Sequence, residues 1–323
     1  VLADMDISRQ RRPQDGHITV DAGESTLHYR ISTLPTVYGE KCVLRLLKKE
    51  HQLTDIARLG FSLGQLAEVR QAATAAQGLI LVTGPTGSGK TTTLHAILND
   101  INEAGTNIIT LEDPVESTIP GVSHVQISDR GVDFPGALRA VLRQDPDVMM
   151  IGEVRDVEVG RIALRAALTG HMVLSTLHTN GVIETVTRLV DMGLEPYLLA
   201  SSLNMIVAQR LLRRVCPYCS CVEPIWGDLI DEFELADEQV KTAVYRRPVG
   251  CEKCFMTGYR GRVAIYETLT PTDEVRRILR RGGDEQDLID AARRADMVWM
   301  RQAALARALA GETSFDEVRR VPR

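Results

Sequence analysis

The sequence predicts an α/β fold in which helices cover a parallel β-sheet, and two observations support this prediction. Between Gly78 and about Leu212, short apolar segments alternate with amphipathic ones, as expected for strands that alternate with helices. The apolar run "GLILVT" (78–83) leads directly into "GPTGSGKTTTLHAIL" (84–98), where a glycine-rich loop precedes a helix-like segment. A buried strand, a glycine loop and a helix therefore follow one another at the start of the predicted sheet.

The other elements follow from the same patterns. In residues 1–48, "STLHYRIST" and "KCVLRLL" are β-like and are joined by a turn around Pro35 and Gly39, which predicts a small α/β domain, here cut short. The opening "VLADMDISRQ" resembles a helix entered midway, so we expect a natural N-terminal part to be missing. The core strands are expected at "LILVT", "NIITLE", "DVMMIG" and "MVLSTLH", with helices near 90–103, 134–144, 156–169 and 182–191.

The end of the chain differs in composition from the alternating core. Residues 213–262 contain five cysteines and look irregular, and "EVRRILRR", "EQDLIDAARRA" and "MRQAALARALA" are expected to form short helices. The predicted organisation is a partial N-terminal α/β domain (1–48), a linker (49–61), a nucleotide-binding core (62–212), a tetracysteine module (213–262) and a C-terminal helical region (263–323).

The segment Gly84–Thr91 has the spacing G-x-x-x-x-G-K-T of a phosphate-binding loop. Successive backbone N–H groups in such a loop form an anion-binding concavity at the positive end of a helix, and side chains would block the approach. We expect Lys90 to reach the β- and γ-phosphates and the Thr91 hydroxyl to ligate Mg²⁺. The residues expected to bind nucleotide are Gly84, Pro85, Thr86, Gly87, Ser88, Gly89, Lys90, Thr91 and Thr92.

An accidental glycine turn is the alternative interpretation of this loop. The bare pattern arises by chance in on the order of 1% of chains of this length. The preceding strand and the following helix lower that frequency further, which favours a nucleotide site.

Acidic residues follow two of the predicted strands. Glu153 ends the strand in "DPDVMMIGEVRD", and "TLEDPVE" supplies Glu112, Asp113 and Glu116. In enzymes with a phosphate-binding loop, such carboxylates hold Mg²⁺ or orient the attacking water. Acids also end strands as caps or turn residues, but two clusters beside a phosphate-binding loop favour a functional role.

Two of the seven histidines flank one predicted strand, "GHMVLSTLHT". The separation of His171 and His178 is odd, so on one extended strand they would point to opposite faces, unless the strand ends before His178. A histidine in a strand is more often packed and hydrogen-bonded than reactive. His178 lies at the carboxyl end, where it could sense the γ-phosphate and relay its loss.

The cysteines favour a metal site. Cys216 and Cys219 form one C-x-x-C pair and Cys251 and Cys254 a second, which together predict a structural tetrahedral Zn²⁺ site. Disulfide bonds are the alternative, but they are rare in cytosolic proteins, where a nucleotide-binding enzyme is expected to be. The segment between the two pairs is longer than in a compact zinc ribbon, so we expect it to include an inserted helical segment over "GDLIDEFELADEQVKTAVY". Cys221 could compete as a ligand, and Cys42, in an apolar strand, is expected to be a core residue.

Overall charge and hydropathy give no support to several functional classes of protein. The 323 residues have a net charge of −5, which does not support a general nucleic-acid binder. No apolar run approaches the roughly 20 residues that cross a membrane, and a basic-then-apolar leader is not evident, so nothing indicates export.

Four linked motifs, "GPTGSGKTTT", "TLEDPVE", "LRQDPDVMMIGEVRD" and "LTGHMVLSTLHTN", together resemble the secretion ATPases of type II secretion and type IV pilus assembly. The resemblance extends over nearly the whole chain and implies a RecA-like P-loop ATPase core. It also implies that Gly84–Thr91 is the Walker A loop, Thr110–Glu116 the aspartate box, Gly152-Glu153 the end of the Walker B strand, and His171 to His178 the histidine box.

The resemblance further implies residue roles and partners. Glu116 is then the candidate catalytic glutamate and Glu153 serves Mg²⁺, although these two roles could be exchanged. Four arginines match family arginines that lie near the nucleotide: Arg30, Arg45, Arg139 and Arg143. In the family, an arginine from a neighbouring subunit can stabilise the transferring phosphoryl group. The zinc module resembles that of the assembly-type members, since the retraction ATPases generally lack it.

The function expected from this resemblance is a homohexameric motor that hydrolyses Mg-ATP at the cytoplasmic face of the inner membrane. It would drive an inner-membrane platform protein to assemble a pilus or a type II secretion pseudopilus, with no nucleic acid as partner. Two alternatives remain open from the sequence: a nucleotide-gated scaffold with little turnover, and a nucleic-acid motor of the same fold.

Overall fold

A computed structural model describes residues 2–3, 5–8, 11–22, 25–47, 55–127 and 133–322. The chain divides into two compact units, Val1–Gln52 and Leu53–Arg323, which we describe separately. Part of the predicted linker, residues 49–54, lies outside the described residues, and Ile56–Arg58 forms a short 3-10 helix. The predicted mixed α/β fold is confirmed.

The first unit contains a three-stranded antiparallel sheet of strands β1 (Gln14–Ala22), β2 (Ser25–Thr36) and β3 (Gly39–Leu47), in that order. The two predicted strands are therefore present, and the chain reverses between Thr36 and Gly39, which pair directly. Leu2-Ala3 and Ile7-Ser8 form turns rather than the expected helix. Cys42 is exposed, so its assignment to a core was wrong; the sheet leaves that face of β3 open.

The second unit is built on a seven-stranded sheet with the order β12-β9-β4-β8-β7-β5-β6. Its strands are β4 (Gly78–Thr83), β5 (Ile108–Glu112), β6 (Ser123–Gln126), β7 (Val148–Ile151), β8 (Met172–Leu177), β9 (Leu203–Val215) and β12 (Tyr259–Leu269). The first six in the chain are parallel, as predicted, and β12 is antiparallel to β9 at the edge.

The central strands are apolar throughout because helices cover both faces of the sheet. Every residue of β4, β5, β7 and β8 is buried. Successive residues of β4 enter opposite layers: Leu79 and Leu81 pack in one hydrophobic cluster, and Ile80 and Val82 in the other. This two-sided burial explains why the strands are continuous apolar runs rather than alternating ones.

Of the six core helices, the four between residues 90 and 191 lie close to their predicted positions. The six are α1 (Leu63–Ala73), α2 (Lys90–Asp100), α3 (Phe134–Val141), α4 (Val157–Leu168), α5 (Val182–Asp191) and α6 (Pro196–Ser202). Polar caps fix several starts: Ser62 forms a capping box with Gln65, and the side chains of Asp133 and Asp156 accept backbone N–H bonds at the starts of α3 and α4.

The chain between β9 and β12 forms an insertion with the predicted helical excursion. It contains β10 (Cys221–Val222), α7 (Gly227–Phe233), α8 (Asp237–Thr242) and β11 (Arg246–Arg247). The C-terminal helices are α9 (Asp273–Arg281), α10 (Glu285–Arg294), α11 (Met300–Leu309) and α12 (Phe315–Arg319), of which the first three were predicted. Of the helices in the described residues, none has both the length and the apolar character needed to cross a membrane.

One buried carboxylate joins the C-terminal helices to the core. Glu267 of β12 is 4% exposed and accepts the backbone N–H groups of Val182 (2.9 Å) and Met300 (2.8 Å). These are the first residues of α5 and α11, so one side chain satisfies the N-termini of two helices. Burial raises the pKa of Glu267, and the two N–H donors oppose that rise.

We expect Glu267→Ala to lower the free energy of unfolding by about 2 to 4 kcal/mol, because two buried N–H groups lose their acceptor and a cavity remains. Glu267→Gln, which keeps one oxygen and the shape, should cost less. Urea unfolding would measure both changes. The exposed Glu68→Ala is the control, and its unfolding free energy should stay within about 0.5 kcal/mol of that of the natural chain. A loss no larger than that of the control would contradict this role for Glu267.

Candidate nucleotide site and cysteine cluster

The predicted phosphate-binding loop lies between the end of β4 and the start of α2. Gly84, Gly87 and Gly89 have φ values of 147°, 79° and 91°, which are accessible to glycine and strained for other residues. A Cβ on Gly84 would lie 2.4 Å from the carbonyl oxygen of Gln209 in β9, whereas a Cβ on Gly87 would meet no atom within 4 Å. The first glycine is thus required by close packing, and the second faces open space.

The loop offers donors that suit an anion. Gly89, the N-cap of α2, provides no side-chain cap, so the first N–H groups of the helix are available. Among the described residues, the buried Ser88 hydroxyl has no hydrogen-bond partner. Lys90 Nζ donates to the carbonyl oxygens of Gly84 (2.8 Å) and Pro85 (3.2 Å), which holds its ammonium group over the loop. These residues fit a bound phosphate group.

Two carboxylates lie near this ammonium group. Burial lowers the pKa of Lys90, and the negative charges of Glu153 and Glu116 oppose that shift. Glu153 is two residues beyond the end of β7, and Glu116 is exposed in the segment after β5. The parallel strands thus bring the loop and both predicted acids to one edge of the sheet.

Glu153 is held by two basic side chains. The Arg155 guanidinium forms a short ion pair with it, and His178 Nε2 lies 3.3 Å from its Oε2. Arg155 also reaches Asp113, with Nη2 3.3 Å from Oδ2, so it joins the carboxylates that follow β5 and β7. The sequence motifs do not indicate a role for Arg155, which is marked in the sequence only by its position two residues after Glu153.

The two flanking histidines occupy opposite edges of the sheet. Strand β8 ends at Leu177, so His178 lies outside it, as the alternative interpretation allowed. His171 precedes β8; its Nδ1 is 3.1 Å from the carbonyl oxygen of Ala166, and its own carbonyl accepts the N–H of Gly78. Gly78 is the first residue of β4, whereas the phosphate-binding loop follows the last residue of that strand. His171 therefore lies at the opposite edge of the sheet from the loop, and the structure does not bring it to the site.

The predicted arginines have other neighbours in the described structure. Arg139 forms an ion pair with Glu158, and Arg143 Nη1 donates to the Arg139 carbonyl (2.9 Å). In the first unit, Arg30 lies 3.6 Å from Asp15 and pairs in register with Arg45. Their predicted role toward nucleotide remains a prediction.

Glu112 lies inside the protein rather than at the open edge, in contrast to what its place after a strand suggested. It is 4% exposed and accepts hydrogen bonds from Thr110 Oγ1 (2.7 Å) and His124 Nδ1 (3.0 Å), with His95 Nε2 3.6 Å away. Burial raises its pKa, but His124, His95 and Thr110 together lower the pKa of Glu112 to about 2. No sequence pattern indicates that His95 and His124 meet this carboxylate, since both are distant from it in the chain.

The four predicted cysteine ligands converge. Their sulfur atoms all lie within 4.8 Å of one another, with Cys216–Cys251, Cys219–Cys254 and Cys251–Cys254 separations of 4.0, 3.9 and 3.7 Å. Tetrahedral Zn–S bonds of about 2.3 Å place sulfurs about 3.8 Å apart, whereas a disulfide requires about 2.05 Å. Cys221 is exposed and is not part of this cluster.

Backbone N–H groups point at two of these sulfurs. Those of Cys251 (3.1 Å) and Gly258 (3.3 Å) donate to Cys254 Sγ, and that of Gly250 (3.3 Å) donates to Cys219 Sγ. Burial raises the pKa of Cys254, but these donors and the neighbouring thiols lower it to about 6. At Cys219, burial and the neighbouring thiols outweigh the single N–H donor and raise the pKa to about 11. N–H donors to sulfur are typical of the surroundings of thiolate metal ligands. The donor set fits a structural Zn²⁺ ion.

Comparison with known proteins agrees with this architecture. Residues 1–320 match the family of Type II/IV secretion system proteins. The chain belongs to this family. It is 46% identical to type II secretion system protein HxcR of Pseudomonas aeruginosa (100% of this chain, 65% of that protein) and 45% identical to the type IV pilus assembly ATPase PilB of Myxococcus xanthus (98% and 57%).

A solved structure of the pilus retraction motor PilT with bound ADP has the same fold. It superposes with a TM-score of 0.71 at 28% identity and covers 98% of this chain and 81% of that one. The predicted membership of this ATPase family and the RecA-like core are therefore confirmed. The chain spans less than two thirds of the length of the two curated relatives.

The depressed pKa of Glu112 predicts a pH dependence of stability. A carboxyl group whose pKa is lower in the folded state contributes its full stabilisation above its ordinary pKa of 4.5, and this is lost as the pH falls toward about 2. The difference in unfolding free energy between the natural chain and Glu112→Gln should therefore stay constant from about pH 7 to about pH 5 and shrink below that.

Urea unfolding of both proteins across this pH range measures the difference. The exposed Glu103→Gln serves as the control and should show little dependence on pH. A Glu112→Gln difference that does not change with pH would show that the charge of this carboxylate is not what stabilises the fold.

Proposed function

We propose that this chain is the ATP-hydrolysing part of a motor that assembles a type IV pilus or a type II secretion pseudopilus. The observation that supports it most is the position of Lys90, which lies over the glycine loop with Glu116 and Glu153 close to its ammonium group. The ADP bound to the PilT structure, a protein with the same fold, supports the same assignment.

The proposed reaction is the attack of water on the γ-phosphorus of ATP. The backbone N–H groups of residues 84–91 and the Lys90 ammonium bind the phosphates and stabilise the charge that builds up on the γ-phosphoryl oxygens. The attacking oxygen forms a new P–O bond, the bond to the ADP oxygen breaks, and a nearby carboxylate accepts the proton of the water. A bound Mg²⁺ ion would neutralise phosphate charge, with Thr91 and Glu153 as its proposed protein ligands.

The surroundings of the two carboxylates suggest how they divide the work. Glu153 is held by Arg155 and His178, which suits a group that must keep a fixed orientation. Glu116 is exposed, where it can meet the attacking water. We therefore assign proton acceptance to Glu116 and Mg²⁺ positioning to Glu153, with His178 as the group that responds to the loss of the γ-phosphate through Glu153.

Motor function requires that hydrolysis be coupled between subunits. We propose a homohexamer at the cytoplasmic face of the inner membrane, acting on a membrane platform protein, in which an arginine from a neighbouring subunit completes the site. Arg30, Arg45, Arg139 and Arg143 remain the candidates. ATP can drive such motion only if it binds one arrangement of the subunits better than another.

Lys90→Ala should abolish ATP turnover, because it removes the cation at the β- and γ-phosphates. Glu116→Gln and Glu153→Gln should each lower the turnover number by at least roughly a hundredfold while fluorescent ADP still binds, since neither removes the phosphate-binding amides. The exposed Glu103→Gln is the matched control and should leave turnover unchanged.

The same assay tests the alternatives. Full turnover in both carboxylate variants would overturn their assignment. Tight nucleotide binding with negligible turnover in the assembled natural protein would favour a nucleotide-gated scaffold, and stimulation of turnover by DNA would favour a nucleic-acid motor.

We also propose that the cysteine cluster holds one structural Zn²⁺ ion, since four thiolate ligands leave no open position for substrate. Metal analysis should find about one Zn²⁺ per chain, and Cys216→Ser or Cys254→Ser should remove it. Cys42→Ser and Cys221→Ser, which change exposed cysteines outside the cluster, should retain it. Chelation should expose residues 213–262 to proteolysis while nucleotide binding persists; the absence of zinc from the purified protein would refute this site.

A further inference from the structure

A buried polar network lies beneath the acidic segment that follows β5, and the reaction proposed above does not use it. The Glu112 carboxylate lies between the imidazoles of His95 and His124, all three side chains being about nine-tenths buried. Burying a charge of this kind is costly unless it is paired and hydrogen-bonded. The cluster therefore needs an explanation beyond the packing of the core.

The outer nitrogen of each imidazole reaches the chain just beyond Glu116. His95 Nδ1 lies 2.9 Å from Ser117 Oγ, and the Ile119 N–H donates to His124 Nε2 over 2.9 Å. The segment that carries Glu116 is thus fixed before it by Glu112 and after it by Ser117 and Ile119. Only residues 113–116 lie between these attachment points.

His95 also belongs to α2, the helix that follows the phosphate-binding loop. It lies five residues after Lys90 in α2, about 7.5 Å along the helix axis. A side chain on this rigid helix therefore contacts both the carboxylate that ends β5 and the hydroxyl next to Glu116. The contacts connect the two parts of the site that must be held at a fixed separation for water to be placed against a phosphate.

We propose that His95, Glu112 and His124 are positioning residues that hold Glu116 at a fixed place relative to the phosphate-binding loop. This inference rests on the proposed ATPase function and deepens it. The three residues do not touch the nucleotide; they act through Ser117 and Ile119. Their contribution is to reduce the conformational freedom of the segment that presents Glu116.

The hydrogen bonds define which protons the network needs. Because His124 Nε2 accepts the Ile119 N–H, its ring proton is on Nδ1, where it is donated to Glu112. Thr110 Oγ1 donates its proton to the same Glu112 oxygen. Both bonds end on the same oxygen, Oε1, and they strengthen when Glu112 is ionised, in agreement with its pKa, which burial raises but these partners lower to about 2.

Ser117→Ala offers a mild test, because it removes one hydroxyl from a partly exposed residue and leaves the buried charges in place. We expect it to lower the turnover number roughly five- to tenfold while the dissociation constant of fluorescent ADP stays unchanged and the melting temperature falls by no more than about 4 °C, since His95 Nδ1 loses its partner. Thr118→Ala, its exposed neighbour, is the matched control and should behave as the natural protein. Natural turnover in Ser117→Ala, or an equal loss in Thr118→Ala, would overturn the proposal.

A double-mutant cycle shows whether the effect passes through Glu116. In a Glu116→Gln background, Ser117→Ala should cause no further loss of residual turnover, since there is no carboxylate left to position. A further loss by the same factor as in the natural protein would mean that Ser117 acts independently of Glu116, and the proposal would fall.

The histidine itself provides a second test. His95→Ala should lower turnover at least as much as Ser117→Ala, and His95→Asn, whose amide replaces Nδ1 next to Ser117, should restore most of it. Equal losses of turnover in both variants, with folding and ADP binding intact, would refute the positioning role. If Glu116→Gln has no measurable turnover, the double-mutant cycle cannot be read, and this comparison of His95 variants tests the proposal in its place. All of these variants are compared with the natural protein, whose turnover should depend on Lys90. If the natural protein showed no such turnover, the proposed ATPase function would be refuted rather than the positioning role.

Discussion

The parallel arrangement of six strands is the constraint on which the site depends. Because parallel strands end at one edge of the sheet, the loop after β4, Glu153 after β7 and His178 after β8 meet without being close in sequence. Helices on both faces of the sheet bury these strands completely and keep their ends at fixed separations. Apolar packing several residues away therefore sets the separations of the side chains at this edge.

Charge balance then organises this edge. The Lys90 ammonium lies over the loop, and Arg155 joins Asp113 to Glu153, so positive groups separate carboxylates that would otherwise repel one another. Such preorganised charges act more strongly in a partly desolvated site than in water. Beneath them the His95–Glu112–His124 network adds a second, buried set of polar contacts, so that both an exposed ion pair and a buried hydrogen-bond network hold the acidic segment.

The C-terminal region is integrated with the core rather than appended to it. Strand β12 completes the sheet, Glu267 caps α5 and α11, and the buried Glu317 of α12 accepts both the backbone N–H and the guanidinium of Arg213 in β9. The cysteine cluster closes the insertion between β9 and β12. Because α5 follows His178 by only a few residues, this short segment and Glu267 link the edge of the sheet that carries the glycine loop to the C-terminal helices.

The sequence by itself determined the features that depend on local order: the glycine loop, the parallel strands with their helices, and the two C-x-x-C pairs. It did not reveal β12 at the edge of the sheet, the ion pairs of Arg155, the exposure of Cys42 or the burial of Glu112 between His95 and His124. Backbone conformation and hydrophobic periodicity act over a few residues and leave a readable pattern. Contacts between side chains far apart in the chain leave no such pattern, because only the packed sheet and helices decide which of them meet.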